Sequence, residues 1–346
     1  MHVSRSASLA HPAMSGKRAV AIWLALALGA TAIFVAALTL GSVEMTPWRA
    51  LAALVHARGA GLDSNAEIVR TLRLPRALAG FACGGLLALA GALLQVLLRN
   101  PLADPYVLGV SGGAAASAVF ALLAGAAWWT VDAASFAGAL LSIALVLGLA
   151  RRDLWRGEAQ EASPRLLLTG VVLATGWGAV VTLLLTLAPD ERLRGILFWL
   201  TGDLNGAGTP WPAVAALVVA VGVSVPVAPQ LNVLLRGEAL AAALGVPAAR
   251  LRLRIYLVAS LAAAVAVTTA GTIGFVGLVV PHALRLAFGN DQRMLVPASA
   301  LAGGIVVMGA DLVARTVIAP AQLPVGVVTA MVGVPAFLWM LMRRRA

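Results

Sequence analysis

The chain has 346 residues, 61% of them hydrophobic and 11% charged, with a mean hydropathy of +0.95. A soluble domain is about one quarter charged, so this chain has more apolar surface than a water-soluble core can hide, and the composition predicts an all-α, polytopic membrane protein. The net charge of +11 does not read as nucleic-acid binding, because the arginines are scattered through short loops between apolar runs.

In chain order, apolar runs fall at 19–40, 75–98, 106–127, 131–150, 166–188, 208–228, 255–271, 273–289, 294–314 and 323–342. A span needs about 20 residues, so ten transmembrane helices are expected, with an uncertain boundary at "AGTIG" between the seventh and eighth. The first run follows Lys17 and Arg18 and is longer than the ~7–15 residues of a signal peptide's apolar core, so it reads as a retained span. Residues 1–18 then form a cytoplasmic tail, 19–342 one permease domain, and 343–346 a basic tail. With the N-terminus inside, 17 of the 25 Lys and Arg residues fall on inner segments and eight on outer ones, the bias that inner loops carry. Trp128, Trp129, Trp199 and Trp211 are placed at the outer interface by the same register.

Before the second run stands "RTLRLPRAL", three arginines on the side where they should be scarce. Snorkelling to headgroups and capture of an acidic partner both account for them. Cys83 in "GFACGGLL" is the only cysteine, and its small size suits close helix packing. The second run ends in "LLQVLLRNPLADPYVLGVSGG". Gln95 is an amide in an apolar span; unpaired in lipid it costs several kcal/mol, so it bonds another helix or lines a pathway. Pro101 and Pro105 stiffen the following loop, where Asn100 and Asp104 are placed to accept from nearby N–H groups. Gly109 and Gly113 have the spacing of a close helix contact.

The inner segment "LNVLLRGEALAAALGVPAARLRLR" reads as two short helices. Glu238 suits a helix start, Gly245 a C′ stop and Pro247 an N1 position. Such a knob is a docking shape or an ordinary structured loop. Chemistry of the chain's own is scarce. Only one lysine exists and it begins no P-loop, and the four histidines lack ligand spacing, so neither a resident metal nor a cofactor is expected. Carboxylates inside the runs are almost missing, which argues against a stand-alone secondary carrier. Asp311 is the main exception and is read as pairing locally with Arg315. No nucleophile–base set supports an intramembrane enzyme.

Four stretches, "RLPRALAGFACGGLLALAGALLQVLLRNPLADPYVLGVSGGA", "LNVLLRGEALAAALGVPAARLR", "GTIGFVGLVVPHALRL" and "ADLVARTVIAPAQLPVGVVTAMVGVPAFLWML", occur in this order. Together they resemble the permease subunits of ABC importers for iron–siderophore complexes, haem and vitamin B12. The resemblance implies a type II importer fold of ten helices per chain. It implies a homodimer with the pathway between two copies, one separate ATPase docked on each, and a periplasmic binding protein outside. Arg73, Arg76 and Arg315 are then the residues that meet the binding protein. The coupling helices, about 236–253 and including Arg236, Gly237, Glu238, Leu244, Gly245 and Val246, sit in the ATPase. The inner gate falls at Ser163 and Pro164 in "EASPRLLLTG", where a proline departs from the family's polar pattern. His282 belongs to the shared pattern and does not name the cargo.

Overall fold

The computed structural model describes residues 16–41, 45–55, 64–150, 164–206 and 208–343. Its helices are α1 (Gly16–Thr39), α2 (Pro47–Val55), α3 (Ser64–Ile68), α4 (Leu74–Leu97), α5 (Val110–Leu123), α6 (Trp128–Leu149), α7 (Pro164–Thr186), α8 (Asp190–Leu200), α9 (Trp211–Ser224), α10 (Ala228–Leu235), α11 (Glu238–Ala243), α12 (Ala248–Ala270), α13 (Val276–Phe288), α14 (Gln292–Thr316) and α15 (Val325–Arg343). No strand occurs among the described residues. A π-helical turn, Val69–Arg73, leads into α4, so that Ala66–Leu97 continue as one helix of 32 residues.

Among the described residues, seven helices are long and apolar enough to cross a membrane, and α9 with α10, bent by 60° at their break, make an eighth. The shorter α5 and α13 fill the remaining two of the ten predicted runs. At 14 and 13 residues they reach only roughly 20 Å of a hydrocarbon layer about 30 Å thick. Irregular chain adjoins each: the 98–109 loop, which includes a 3₁₀ turn, before α5, and residues 271–275 between α12 and α13. The second of these lies at the predicted "AGTIG" boundary. Backbone of this kind survives at membrane depth only where protein buries it or water reaches it.

The core surrounds α4, 89% of whose apolar window is buried. Its broadest contact is with α14, then with α12, α13 and α9. Lipid gives helices no hydrophobic reason to associate, so close backbone approach must hold them together. The glycines of α4 provide it: a Cβ on Gly84 would lie 2.2 Å from the Gly303 carbonyl oxygen, and one on Gly91 only 1.8 Å from that of Gly277. Gly113 of α5 meets the Gly138 carbonyl of α6 in the same way, at 2.4 Å. Cys83 is fully buried in this packing.

One aromatic residue departs from the expected belt. Trp128, Trp129 and Trp211 are exposed, but Trp199 is only 7% exposed. The reason is α8, which folds back over the end of α12 instead of lying loose at the interface. Trp199's carbonyl faces Gly271, and the Asp203 N–H donates to Ala270 O at 2.9 Å.

Candidate functional site

Of the two short helices expected over 236–253, the first is α11, the knob; the second, expected from Pro247, is the start of the long α12. Gly237, with φ +122°, turns the chain after Arg236, and α11 opens on Glu238. Gly245 has φ +72°. Its N–H donates to Ala242 O at 3.0 Å and the Val246 N–H to Ala241 O at 2.8 Å, which together form a Schellman stop. Pro247 is the N-cap of α12 and not its N1 residue, because its ψ of 78° is not helical. Glu238 makes an ion pair with Arg252 and lies 3.9 Å from Arg99. This ties the knob to α12 and to the loop after α4. Leu240 and Leu244 are exposed one turn apart, and Arg236 and Arg250, flanking them in the sequence, are exposed too.

The loop after α4 is held by its own polar residues. Asn100 Oδ1 accepts from the Leu102 N–H at 2.9 Å, and Asp104 Oδ1 from the Tyr106 N–H at 2.8 Å. Asp104 thereby caps a 3₁₀ turn, Pro105–Leu108. Pro101 stands in the turn between them, and Pro105 rests on Gly277, where an added Cβ would meet its ring at 2.5 Å. Gln95 is buried. Its amide donates to the carbonyls of Ala103, Gly277 and Leu278 at 3.3–3.4 Å and accepts from Arg285 at 2.8 Å, so it joins α4, the loop and α13. The Tyr106 hydroxyl donates to Ile273 O at 3.2 Å and accepts from Ile273 N–H at 3.0 Å, pinning the break before α13. Beside this junction opens a cavity of about 620 Å³, with Asp104, Tyr106, Thr175, Gly274 and Phe275 in its wall.

Arg73, Arg76 and Arg315, expected on the outer face, converge, but inward. Arg73 is 5% exposed and donates to Leu38 O and Thr39 O at 2.8 Å each. Arg315 donates to Ala37 O at 2.5 Å. Both therefore cap the last carbonyls of α1, where the helix dipole favours cations. Arg76 is 9% exposed; it grips Asp311 at 2.7 Å and also donates to Asn205 and Gln322 at 3.1 and 3.0 Å. Asp311 does face Arg315, at 3.8 Å, yet the nearer cation is Arg76, from the other end of the sequence. Ser163 lies outside the described residues, as do residues 1–15 of the N-terminal tail and 344–346 of the C-terminal one; Pro164 opens α7.

The model of the FecCD transport family matches residues 28–343. This chain belongs to the FecCD transport family. It is 43% identical over 303 residues to the cobalamin import system permease protein BtuC of Halobacterium salinarum, covering 86% of this chain and 80% of that one. It is 37% identical over 339 residues to the vitamin B12 import system permease protein BtuC of Vibrio vulnificus, covering 97% of each. Among solved structures, an inward-facing metal-chelate-type ABC transporter superposes with a TM-score of 0.80 at 28% identity, covering 94% of this chain and 99% of that one. PsaBC from Streptococcus pneumoniae shares the fold at a TM-score of 0.53 and 15% identity, covering 77% and 90%.

The chain is thus an ABC-importer permease and a multi-pass inner-membrane protein. Several residues that fasten this FecCD permease together escape sequence reading. Asn205 and Gln322 complete the shell of Arg76. Asn232 donates to Asp291 at 2.7 Å and accepts from the Gln292 N–H at 2.9 Å, joining α10 to the start of α14. Tyr106 and Ile273 are 167 residues apart. Tyr106→Phe leaves two backbone groups of Ile273 without a partner, and a loss of about 1–3 kcal/mol is expected. Thermal unfolding of the detergent-purified variant measures it; a midpoint equal to wild type would show that water replaces the hydroxyl.

Proposed function

We propose that the chain is the membrane subunit of a cobalamin importer that works as a pair of identical permeases. The observation that carries this is 37–43% identity, over most or nearly all of the chain, to permeases named for cobalamin or vitamin B12 import. One permease domain spans 19–342, with an ATP-binding subunit on the inner face of each copy and a periplasmic binding protein across the outer face. ATP hydrolysis belongs to the separate subunit, since this chain brings no phosphate-binding loop.

The knob supports the inner assignment. Exposed Leu240 and Leu244 offer an apolar anchor, and Glu238 links the knob to α12 and Arg99, so a push on the knob reaches the pathway helices. The outer assignment rests on charge. Arg73, Arg76 and Arg315 set three guanidinium groups against one carboxylate, so the outer face keeps a positive field that steers an acidic binding protein. Their side chains are committed within this chain, and they act on a partner as a field and a rim more than as free prongs. Exposed apolar faces on α7 and α15, with Val172 and Val332 the clearest examples, supply the seam between copies. The gate is assigned to about Ser163 and Pro164, and Gln95 braces α4 against the 98–109 loop and α13.

The test is uptake. This chain, assembled with its own ATPase and binding protein in proteoliposomes, is expected to accumulate radiolabelled cyanocobalamin only when ATP is supplied to the ATPase. Uptake of a ferric chelate in its place would overturn the cargo, and uptake without the ATPase would overturn the importer assignment.

A further inference from the structure

We infer that α2 is an interfacial anchor: it lies at the edge of the bilayer with Trp48 and Leu51 against phospholipid, and it sets the height of the arginine-bearing turn before α4. Its nine residues, PWRALAALV, open on Pro47, a residue suited to a first helical turn. Ala50 and Ala53 are buried and Leu54 half-buried, in a small core of their own with Leu38 of α1, Met45, and Val69 of the π-helical turn. Another flank of α2 is apolar too. Trp48 is 76% exposed and Leu51 53%, and residues three apart share one side of a helix. Leu40, just past α1, and Leu72, in the π-helical turn that α2 touches, are exposed as well. Arg49, the one charged residue of α2, is exposed on a different flank.

The packing gives the depth. α1 covers Gly16–Thr39, and Lys17 and Arg18 belong in one headgroup layer. From Ala19 onward, hydrocarbon about 30 Å thick takes up about 20 residues, which ends close to Thr39. Phe34 packs against the same small core as α2, as does Leu74 at the start of α4. Phe34 precedes Thr39 by five residues, roughly 7 Å along the axis. The core under α2 therefore reaches below the hydrocarbon edge, and α2 sits at that edge.

An apolar flank at this depth suits lipid better than a partner protein. A partner that comes and goes leaves Trp48 and Leu51 in water between visits, whereas lipid covers them throughout. The residue types are also those of the interface: an indole and an isobutyl group for the acyl boundary, and a guanidinium for phosphate. The anchor is tied to the helix that it positions. Arg70 donates to the Ala53 carbonyl of α2, and three residues further on Arg73 caps the end of α1. The level of α2 in the bilayer is thereby passed to the turn that carries Arg73.

The experiment places a nitroxide on the assembled transporter in proteoliposomes, through Trp48→Cys, Arg49→Cys or Leu51→Cys in a Cys83→Ala background. Val218→Cys, on the exposed face of α9, is the lipid reference, and Ala242→Cys, exposed on the knob, the water reference. The ratio of collisions with oxygen, which concentrates in hydrocarbon, to collisions with a water-soluble nickel chelate is the readout. It is expected to be several-fold higher at Trp48→Cys and Leu51→Cys than at Ala242→Cys, with Arg49→Cys on the water side. Chelate-dominated collisions at 48 and 51, or one ratio at all three positions, would overturn the anchor. Chelate access that disappears only when the binding protein is added would make this a protein-docking face and overturn the lipid reading. Trp48→Ser with Leu51→Ser removes the anchor, and a nitroxide at Leu72→Cys is then expected to shift towards water; an unmoved label would overturn the positioning role. A second measurement keeps Cys83. Trp48→Phe is expected to remove a blue-shifted emission component that dibrominated phospholipid quenches, and loss of an iodide-quenched, red-shifted component in its place would place Trp48 in water.

Discussion

Replacing Asp311 with Ala is expected to cost about 3–5 kcal/mol, because it strips a buried cation of its counter-charge. Arg76 donates to both carboxylate oxygens of Asp311 at 2.7–3.0 Å, and Arg315 stands 3.8 Å from the same group. Without Asp311, two guanidinium groups face each other in a site where the pair's side chains are 11% and 4% exposed. The outer ends of α1, α4 and α14 lose their common tie. Melting of the detergent-purified chain is expected to fall by roughly 10 °C. Asp311→Asn, which keeps one acceptor for Arg76, falls less. The double change Arg76→Met with Asp311→Leu also falls less than Asp311→Ala alone, since no unpaired charge remains between them. Equal losses in the single and double variants would falsify the buried-pair account and return the arginines to a surface role. The same geometry shows why converting Arg73, Arg76 and Arg315 together to Glu is a poor probe of docking: it would bury four carboxylates in one place.

The helix count was legible because lipid removes the ambiguity of short apolar runs. Each run must satisfy its own backbone, so hydropathy reports structure directly. The one unclear boundary, "AGTIG", is where irregular chain at 271–275 separates α12 from the short α13, and hydropathy carries no sign of such a break. The Schellman turn at Gly245 was legible since its signal is local: a glycine where φ must be positive. Pro247 was placed one residue too far in, the usual slip at a helix boundary.

The outer cluster was misread in part for the opposite reason. "RTLRLPRAL" shows three cations on the wrong side, and a sequence gives no means to see that Asp311, 235 positions on, or the carbonyls of α1 absorb them. Pairings that distant are set by the crossing of α4 and α14 at Gly84 and Gly303, and so by tertiary packing. Gln95 shows the limit from the inside. The need for a partner was plain from the cost of an unpaired amide. That the partners are Arg285 and the carbonyls beside Gly277 follows only once α13 is laid against α4.

Gly245→Pro is expected to abolish the stimulation of ATP hydrolysis by the loaded binding protein while leaving the spans intact. The turn needs φ near +72° and a bond from the Gly245 N–H to Ala242 O. Proline fixes φ near −65° and has no N–H to give, so both requirements fail at once, at a local cost of about 3 kcal/mol or more. The damage stays local because the segment is exposed: Ala242 to Gly245 are all solvent-facing, and α12 begins three residues later. What moves is the direction of α11, and with it Leu240, Leu244 and the carboxylate of Glu238 that reaches Arg252 and Arg99. Gly245→Ala keeps the N–H and bears only the strain of a left-handed L residue, about 1–2 kcal/mol, so it is expected to retain part of the stimulation. Purified assemblies, assayed for ATPase activity with and without cargo-loaded binding protein, distinguish the outcomes. Pulling down the ATPase with the tagged variant tells loss of assembly from loss of coupling within an intact complex. Full stimulation in Gly245→Pro, with the ATPase bound, would mean that the knob holds the ATPase without transmitting its motion, and that the route to the pathway runs elsewhere.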